Sequence, residues 1–390
     1  MRCQRTSPAT AGEETRFLQL APQHRFDLDA NARPSYDPSH PTGIGARPQA
    51  DSSHTMALDP RNAHSYRLST PTVSVAMCTY NGAPYLPQQL ESIAAQESLP
   101  DEMVVCDDGS TDATCEILRE FASRAPFPVR METNPRNLGS TQNFGKAVGL
   151  CRGELIFLAD QDDVWMPHKI RRLSETLCGS STIAFAFSDA QLIDRQGQPS
   201  AHRLWATLPF PPSAQAQFNA GGEFDLLLRR NVVTGTTMAF RAAYRDVLLP
   251  IVSGWVHDGW FALLLAAMGS GRAVAEPLVH YRQHGGQQIG ARPETLFDKY
   301  RRRKRQGPGF YGTTAENYSA ALQRLQSAAE RLPDRFVLEA LRRKIEHWQT
   351  RARMRGHSIW RLPWILRELL RGSYGRYSAG WRSAIEDVLL

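Results

Sequence analysis

The run LIFLADQDD, from Leu155 to Asp163, carries five apolar residues straight into four polar ones, three of them acids. An apolar run of that length, without polar alternation, is what a strand buried on both faces of a parallel sheet requires. The acids then fall at the strand's carboxyl end, where open α/β sheets hold their ligands. Asp160 and Asp162 stand two apart in what reads as extended chain, so the spacing predicts both side chains on one face.

Reading outward, the same alternation repeats. VSVAMCTYNG begins a strand at Val73, and Leu86, Leu90 and Ile93 mark one helical face. Met103 to Cys106 is a short buried run, followed by a helix carrying Ile117, Leu118 and Phe121. Val129 to Glu132 predicts a third strand and Thr141 to Leu150 a third helix, which together imply a doubly wound α/β layer. Further on, Leu204 to Phe218 contains Pro209, Pro211 and Pro212 and predicts a loop. Thr236 to Phe240 predicts a strand, Trp260 to Met268 a helix, and Ala273 to Tyr281 a last strand. From Pro293 the chain turns helical and Arg-rich.

Four strand ends meet one rim: Thr79-Tyr80-Asn81-Gly82, Asp107-Asp108-Gly109-Ser110, Asn134-Pro135-Arg136-Asn137 and Asp160-Gln161-Asp162-Asp163. Singly, each is also ordinary turn chemistry, since Asn-Gly and Asp-Gly form turns and Ser110 or Asp112 can cap a helix. Together they crowd Asp107, Asp108, Asp160, Asp162 and Asp163, and like charges at one edge call for a cation. Paired carboxylates with open positions suit Mg²⁺ or Mn²⁺, which take oxygen ligands and leave sites for phosphate oxygens. No GxGxxG follows the first strand and no GxxxxGK[ST] opens a helix, so a metal clamp replaces backbone cradling of phosphate.

At 390 residues and 42% hydrophobic content the chain can bury a sizeable core. Its formal charge of +7 and pI near 9.2 favour anionic partners without choosing among nucleotide phosphate, acidic lipid and nucleic acid. Six cysteines without CxxC spacing, several inside apolar runs, fit a reducing compartment. No stretch reads as a bilayer span or a secretory signal, so the expected location is cytoplasmic, with any membrane contact peripheral at the inner face. Residues 1–70 are rich in Pro, Ser, His and Arg without periodicity, and predict a disordered extension. Met56 is the expected natural start.

With these features in place, the segment from Val73 to about Leu177 resembles the donor-binding half of family-2 glycosyltransferases of the GT-A fold. The matching elements are VSVAMCTYNG, VVCDDGSTDAT, NLGSTQNFGKA and GELIFLADQDDVWMPHKI, in order and at family-like spacing. The resemblance implies that Thr79, Tyr80 and Asp108 contact the nucleotide base, with Asn81 in the same turn and Asp107 as a supporting acid. It implies that Asp162 binds metal while Asp160 stands near the ribose or a metal-bound water. Asp163 departs from a minimal DxD and has no matching role. More loosely, NVVTGTTMAF resembles the acceptor-side segment, placing Thr234, Gly235 and Thr236 there, and HDGWFALLLAAMGS resembles the catalytic segment. DQDDVW, HDGW and YRQH together look most like rhamnosyltransferase-like enzymes of bacterial surface polysaccharide assembly.

The resemblance implies an inverting transfer from a nucleotide-diphosphate sugar to a hydroxyl of a glycan or lipid-linked saccharide, with Asp258 as base. The other reading of Asp258 is a helix N-cap. His257 beside it is expected to be structural or an acceptor contact. Arg282 and His284, followed by Gly285 and Gly286, read either as a lid over the diphosphate or as a basic turn. The expected organisation is a catalytic domain over 71–291, divided near 180 into donor and acceptor halves, and a basic helical region over 292–390. In that region Trp360, Trp364, Leu366 and Leu370, with Arg361, Arg367 and Arg371 interspersed, fit either an anionic membrane surface or packing onto the catalytic domain. Two other functions compete. A sugar nucleotidyltransferase would carry a Gly-rich basic signature after the first strand, where this chain has Thr79-Tyr80-Asn81-Gly82. Nucleic-acid binding would leave the acidic rim unexplained, so no nucleic acid is expected.

Overall fold

The computed structural model describes residues 70–284, 309–354 and 361–389. The disordered-extension reading up to residue 69, the start at Met56, Gly285, Gly286 and Trp360 lie outside them. The described residues fall within one compact unit, Arg67–Leu390.

The first half follows the alternation of the sequence: β1 (Val73–Thr79), α1 (Leu86–Ala94), β2 (Glu102–Asp107), α2 (Thr114–Arg124), β3 (Val129–Thr133), α3 (Ser140–Leu150) and β4 (Leu155–Asp160). β1, β2 and the body of β4 are buried on both faces, which is why they read as unbroken apolar runs. β1 pairs in parallel with both β2 and β4, and β2 with β3. Their carboxyl ends therefore align: Thr79 lies beside Asp107, and Cys78 beside Asp160.

The second half completes a nine-stranded sheet in the order β3-β2-β1-β4-β8-β6-β9-β5, with β7 on β6. Its elements are β5 (Val164–Trp165), α4 (Lys169–Cys178), β6 (Ile183–Ile193), β7 (Pro199–Arg203), α5 (Leu204–Thr207), α6 (Pro212–Gln217), α7 (Glu223–Arg229), β8 (Met238–Arg241), α8 (Arg245–Leu248), α9 (His257–Met268) and β9 (Ser270–Arg282). β8 runs antiparallel to β4 and β6, while the long β6–β9 pair is parallel and irregular around Ser188–Ala190. Pro277 sits opposite Asp189 at that irregularity, where a missing ladder donor is tolerated. The result is the α/β GT-A arrangement expected.

Two local expectations need correction. Residues 204–218 are not a plain loop: α5 and α6 form there. Pro211 and Pro212 occupy the N-cap and first helical position of α6, where proline's missing N–H costs nothing. Trp205, Phe210 and Phe218 are buried against Phe187, so aromatic burial folds the segment despite its prolines. The strand expected from Thr236 begins only at Met238, after a 3₁₀ turn over Gly235–Thr237.

After residue 308 come α10 (Gly309–Ser327), α11 (Phe336–Met354), α12 (Arg361–Leu370), α13 (Ser373–Tyr377) and α14 (Trp381–Leu389). Ala321, Leu325, Val337, Leu338 and Leu341 belong to the main core with the sheet, so α10 and α11 are built into the same packed body. Farther out, polar clasps replace apolar packing. Arg351 makes a bidentate pair with Asp387 at 2.7 and 2.9 Å, Tyr374 donates to Asp387 at 2.7 Å, and His347 meets Glu368 at 2.6 Å.

Candidate active site

The carboxyl ends of β1, β2 and β4 open onto a cavity of about 830 Å³, closed on the far side by residues 231–235, the start of α9 and α10. Thr79, Tyr80, Asp108, Asp160, Asp162, Thr234, Gly235, His257, Asp258 and His284 all line it. Asn81, Asp107, Thr236 and Arg282 do not, and their contacts show what they do instead.

The turns that follow β1 and β2 form a lattice of side chain to backbone bonds. Asp107 is buried and accepts from Ser110 N at 2.9 Å, Ser110 Oγ at 2.6 Å and Thr79 Oγ1 at 2.8 Å. Burial alone would raise its carboxyl, but the Ser110 and Thr79 donors outweigh that and hold it below the usual range. Gly109 takes φ +81° in this turn, a conformation that costs other residues a steric penalty. Asn81 accepts from Thr111 N at 2.9 Å, and its own N–H donates to Ser110 Oγ, so Asn81 and Asp107 shape the wall from behind. Asp108 faces the cavity, and its oxygens accept from Asn134 Nδ2, Leu138 N and Gly139 N at 2.8 to 2.9 Å. Gln161 clips the β4 turn to β1 through Tyr80 N at 2.8 Å and Tyr80 O at 3.0 Å, leaving the Tyr80 ring half exposed at the rim.

The acidic rim differs from expectation in one respect. β4 ends at Asp160, and Gln161 and Asp162 lie in a turn, so extended-chain alternation does not place the two acids. They nonetheless share the cavity. Burial, then Asp162 and Asp258, push the Asp160 carboxyl up to about 7. Asp163 points inward, is fully buried, and accepts from Arg282 N at 2.9 Å, tying the acidic turn to the end of β9. Burial and the neighbouring Asp162 and Asp160 raise it well above the usual carboxylate range. Beneath them lies Lys169, buried over the Trp165 ring and donating to Thr236 O at 2.5 Å; burial depresses its ammonium. Sequence reading passed over Lys169, although a lysine on the apolar stripe Lys169, Ile170, Leu173, Leu177 was a visible signal.

Arg282 is not a lid. It is 1% exposed, stacks over Tyr85, and donates to Asp162 O at 2.8 Å, Asp194 O and Arg195 O at 3.2 Å, and Gln88 Oε1 at 2.6 Å. It braces three chain segments around the acidic turn. His284 does reach the cavity, with Nε2 at 2.7 Å from Asp162 Oδ2.

On the far side of the cavity, α9 starts after Val256, so Asp258 lies inside the first turn and is not the N-cap. α9 is buried nearly all round, which makes it a rigid mount. Asp258 Oδ1 accepts from Gly259 N and from Asn231 Nδ2 at 3.1 Å, and burial pushes the carboxyl up to about 6. His257 is buried, stacks on Phe144 at 4.1 Å, and burial lowers it to about 3, so it is neutral. Among the described residues neither ring nitrogen has a hydrogen-bond partner. Gly235 allows this packing, because a Cβ there would stand 2.5 Å from His257 Nε2. The outer wall was missed in the sequence: Trp255 packs edge-on against Tyr318 at 5.2 Å, its Nε1 donates to Asn317 O at 2.9 Å, and Thr314, Asn317 and Tyr318 line the cavity from α10.

Residues 74–249 match the model of glycosyl transferase family 2. This segment belongs to the family-2 glycosyltransferase superfamily. Among relatives of the family-2 domain, an uncharacterized protein of Mycobacterium tuberculosis is 28% identical over 54% of this chain and 59% of its own length. An uncharacterized glycosyltransferase of Nostoc is 32% identical over 55% of this chain and 65% of its own. The chain thus spans about three fifths of the curated relatives it matches. Among solved structures, S. aureus TarS 1–349 in complex with UDP-GlcNAc superposes with a TM-score of 0.47 at 15% identity, covering 77% of each chain.

The cavity brings together donor types that a divalent cation takes, the Asp160 and Asp162 carboxylates and the His284 imidazole. Among the described residues no three His, Cys, Asp or Glu already surround a common point. Neighbouring ligand atoms on an octahedral ion with 2.0–2.1 Å bonds are about 2.9 Å apart. Asp162 Oδ2 and His284 Nε2, 2.7 Å apart, are hydrogen-bonded to each other, so both side chains must turn to aim these atoms at a shared ion. Asp160 supplies a further carboxylate on the same cavity.

Proposed function

We propose that this protein is an inverting, metal-dependent glycosyltransferase that moves a sugar from a nucleotide-diphosphate donor onto a hydroxyl of a glycan or lipid-linked saccharide. One observation carries the reading: the donor-side carboxylates Asp160 and Asp162 and the half-buried Asp258 face one cavity, and the Asp258 carboxyl, pushed up to about 6, suits a base near neutrality.

In this reading Thr79, Tyr80 and Asp108 hold the nucleotide, and Asp162, Asp160 and His284 hold the metal. An imidazole among the donors favours Mn²⁺ over Mg²⁺. Bound there, the ion supplies Lewis-acid stabilisation of the departing diphosphate. Asp258 removes the proton from the acceptor hydroxyl as it attacks the anomeric carbon. Asn231 Nδ2 and the Gly259 and Gly235 backbone N–H groups fix the carboxylate's direction. Neutral His257 and Thr234 lie where acceptor hydroxyls arrive. The motif set DQDDVW, HDGW and YRQH supports rhamnose as the sugar and bacterial surface polysaccharide or lipopolysaccharide as the product class. The five described cysteines are unpaired, which supports action on the cytoplasmic side.

The test is release of nucleoside diphosphate from a panel of nucleotide sugars, with and without Mn²⁺. Release from at least one donor, dependent on Mn²⁺ and on Asp258, is expected. Failure of every donor to bind or turn over overturns the proposal.

A further inference from the structure

Among the described residues, nine of the thirteen exposed large hydrophobic side chains lie between Leu362 and Leu389, on α12 and α14. On α12 the exposed apolar residues Leu362, Leu366, Leu369 and Leu370 follow the spacing i, i+4, i+7, i+8. On α14, Trp381, Ile385, Val388 and Leu389 repeat that spacing. Each helix therefore shows a continuous apolar stripe to solvent, and the two helices pack beside each other. Leu370 is 81% exposed, Leu389 64% and Trp381 63%. By contrast, the core behind them holds only Met354, Ile365, Tyr374 and Ala384. A protein that buries four apolar side chains and exposes twice that number on the same small bundle is built to be covered. The alternative that these residues pack onto the catalytic domain does not hold for Trp364, Leu366 and Leu370.

Charge identifies the cover. The acids of this region turn inward: Glu368 pairs with His347, while Asp387 and Glu386 pair with Arg351. The exposed charged residues on these helices and the turn between them are Arg367, Arg371 and Arg382, all cationic, with Arg371 also 4.0 Å from Glu368. A second copy on this face would oppose arginines with arginines. An anionic lipid surface meets both properties, apolar stripe and cationic flank.

We propose that the outer faces of α12 and α14 dock in the headgroup layer of an anionic bilayer, holding the protein at the membrane by a monotopic contact. Among the described residues no helix is long and apolar enough to cross one. The proposal is independent of the reaction, because partition is measured without donor or acceptor.

The experiment is co-sedimentation of the full chain with vesicles of phosphatidylcholine alone or mixed with phosphatidylglycerol. Three exposed arginines predict tighter binding to the anionic vesicles by about 100-fold at low salt, and the difference should shrink as salt rises. The variant Leu366→Gln/Leu370→Gln/Ile385→Gln/Leu389→Gln should melt like the wild type yet stay in the supernatant. Arg367→Gln/Arg371→Gln/Arg382→Gln should bind both vesicle types alike. Wild-type protein that stays unbound with anionic vesicles overturns the proposal, as does unchanged binding by the four-fold apolar variant. A wild-type dimer that the apolar variant abolishes, without vesicle binding by either, would assign the face to a second copy.

Discussion

Asp258→Asn is expected to abolish transfer and stabilise the fold at the same time. Asn keeps the acceptor oxygen that receives the Gly259 and Asn231 donors, so the loop geometry survives. Burial lifts the Asp258 carboxyl from an ordinary value near 3.9 to about 6. A carboxyl raised in the folded state binds its proton more tightly there than in the unfolded chain. Its ionisation therefore costs nothing below about pH 4 and its full penalty above about pH 6. Two units correspond to about 3 kcal/mol, and because the carboxyl opens on a solvent-filled cavity about 1 to 2 kcal/mol of this is retained. For a domain of this size that is a melting-temperature gain of about 2–6 °C at pH 8, shrinking to nothing near pH 4. Removing the charge also relieves Asp160, which Asp258 helps to raise. Activity should fall by about 10²–10⁴-fold, with nucleoside diphosphate still bound by calorimetry. Thermal melts at pH 4 and pH 8, run beside the diphosphate-release assay, decide the matter. A variant that is less stable than wild type at pH 8, or that still transfers, refutes the reasoning.

For the wild type, kcat/KM should climb as pH rises through about 6, following the Asp258 carboxylate, and the pH profile checks this directly. Gly235→Ala would drive a Cβ to 2.5 Å from His257 Nε2, and Phe144 blocks retreat of the ring; more than a 10-fold loss of activity is expected, with donor binding little changed. Arg282→Ala leaves three carbonyls and Gln88 without their donor; a loss of about 3 kcal/mol or more in denaturant melts is expected, larger than any change in acceptor KM. Excess EDTA should stop diphosphate release, and His284→Ala should raise the Mn²⁺ concentration required by at least about 10-fold. Equal activity of that variant at limiting Mn²⁺ would remove His284 from the donor set.

The first half of the fold was legible because β1, β2 and the body of β4 are buried on both faces, so that each reads as an apolar run ended by polar residues. From β1 to β4 only the ends move by a residue or two. Residues 204–218 were not legible, because proline at a helix's first turn looks like a breaker until Trp205, Phe210 and Phe218 are seen packing inward. At the site, motif residues marked the right rim but not which of them face it. Asn81, Asp107 and Arg282 share their neighbours' polarity, and only the hydrogen-bond partners reveal that they build the wall from outside. Trp255, Asn317 and Tyr318 come together from positions some sixty residues apart, a juxtaposition that no local period encodes.

That last contact bears on how much chain the cavity needs. The segment that matches the family ends at residue 249, whereas the helix that closes the cavity's outer wall starts at Gly309. One bank of the cavity is thus built from chain beyond the family segment, held to it by the Trp255 contacts with Asn317 and Tyr318 and by the Arg324 bonds to Val247, Leu249 and Pro250. A chain trimmed to residues 74–249 would therefore lose one bank of its own cleft.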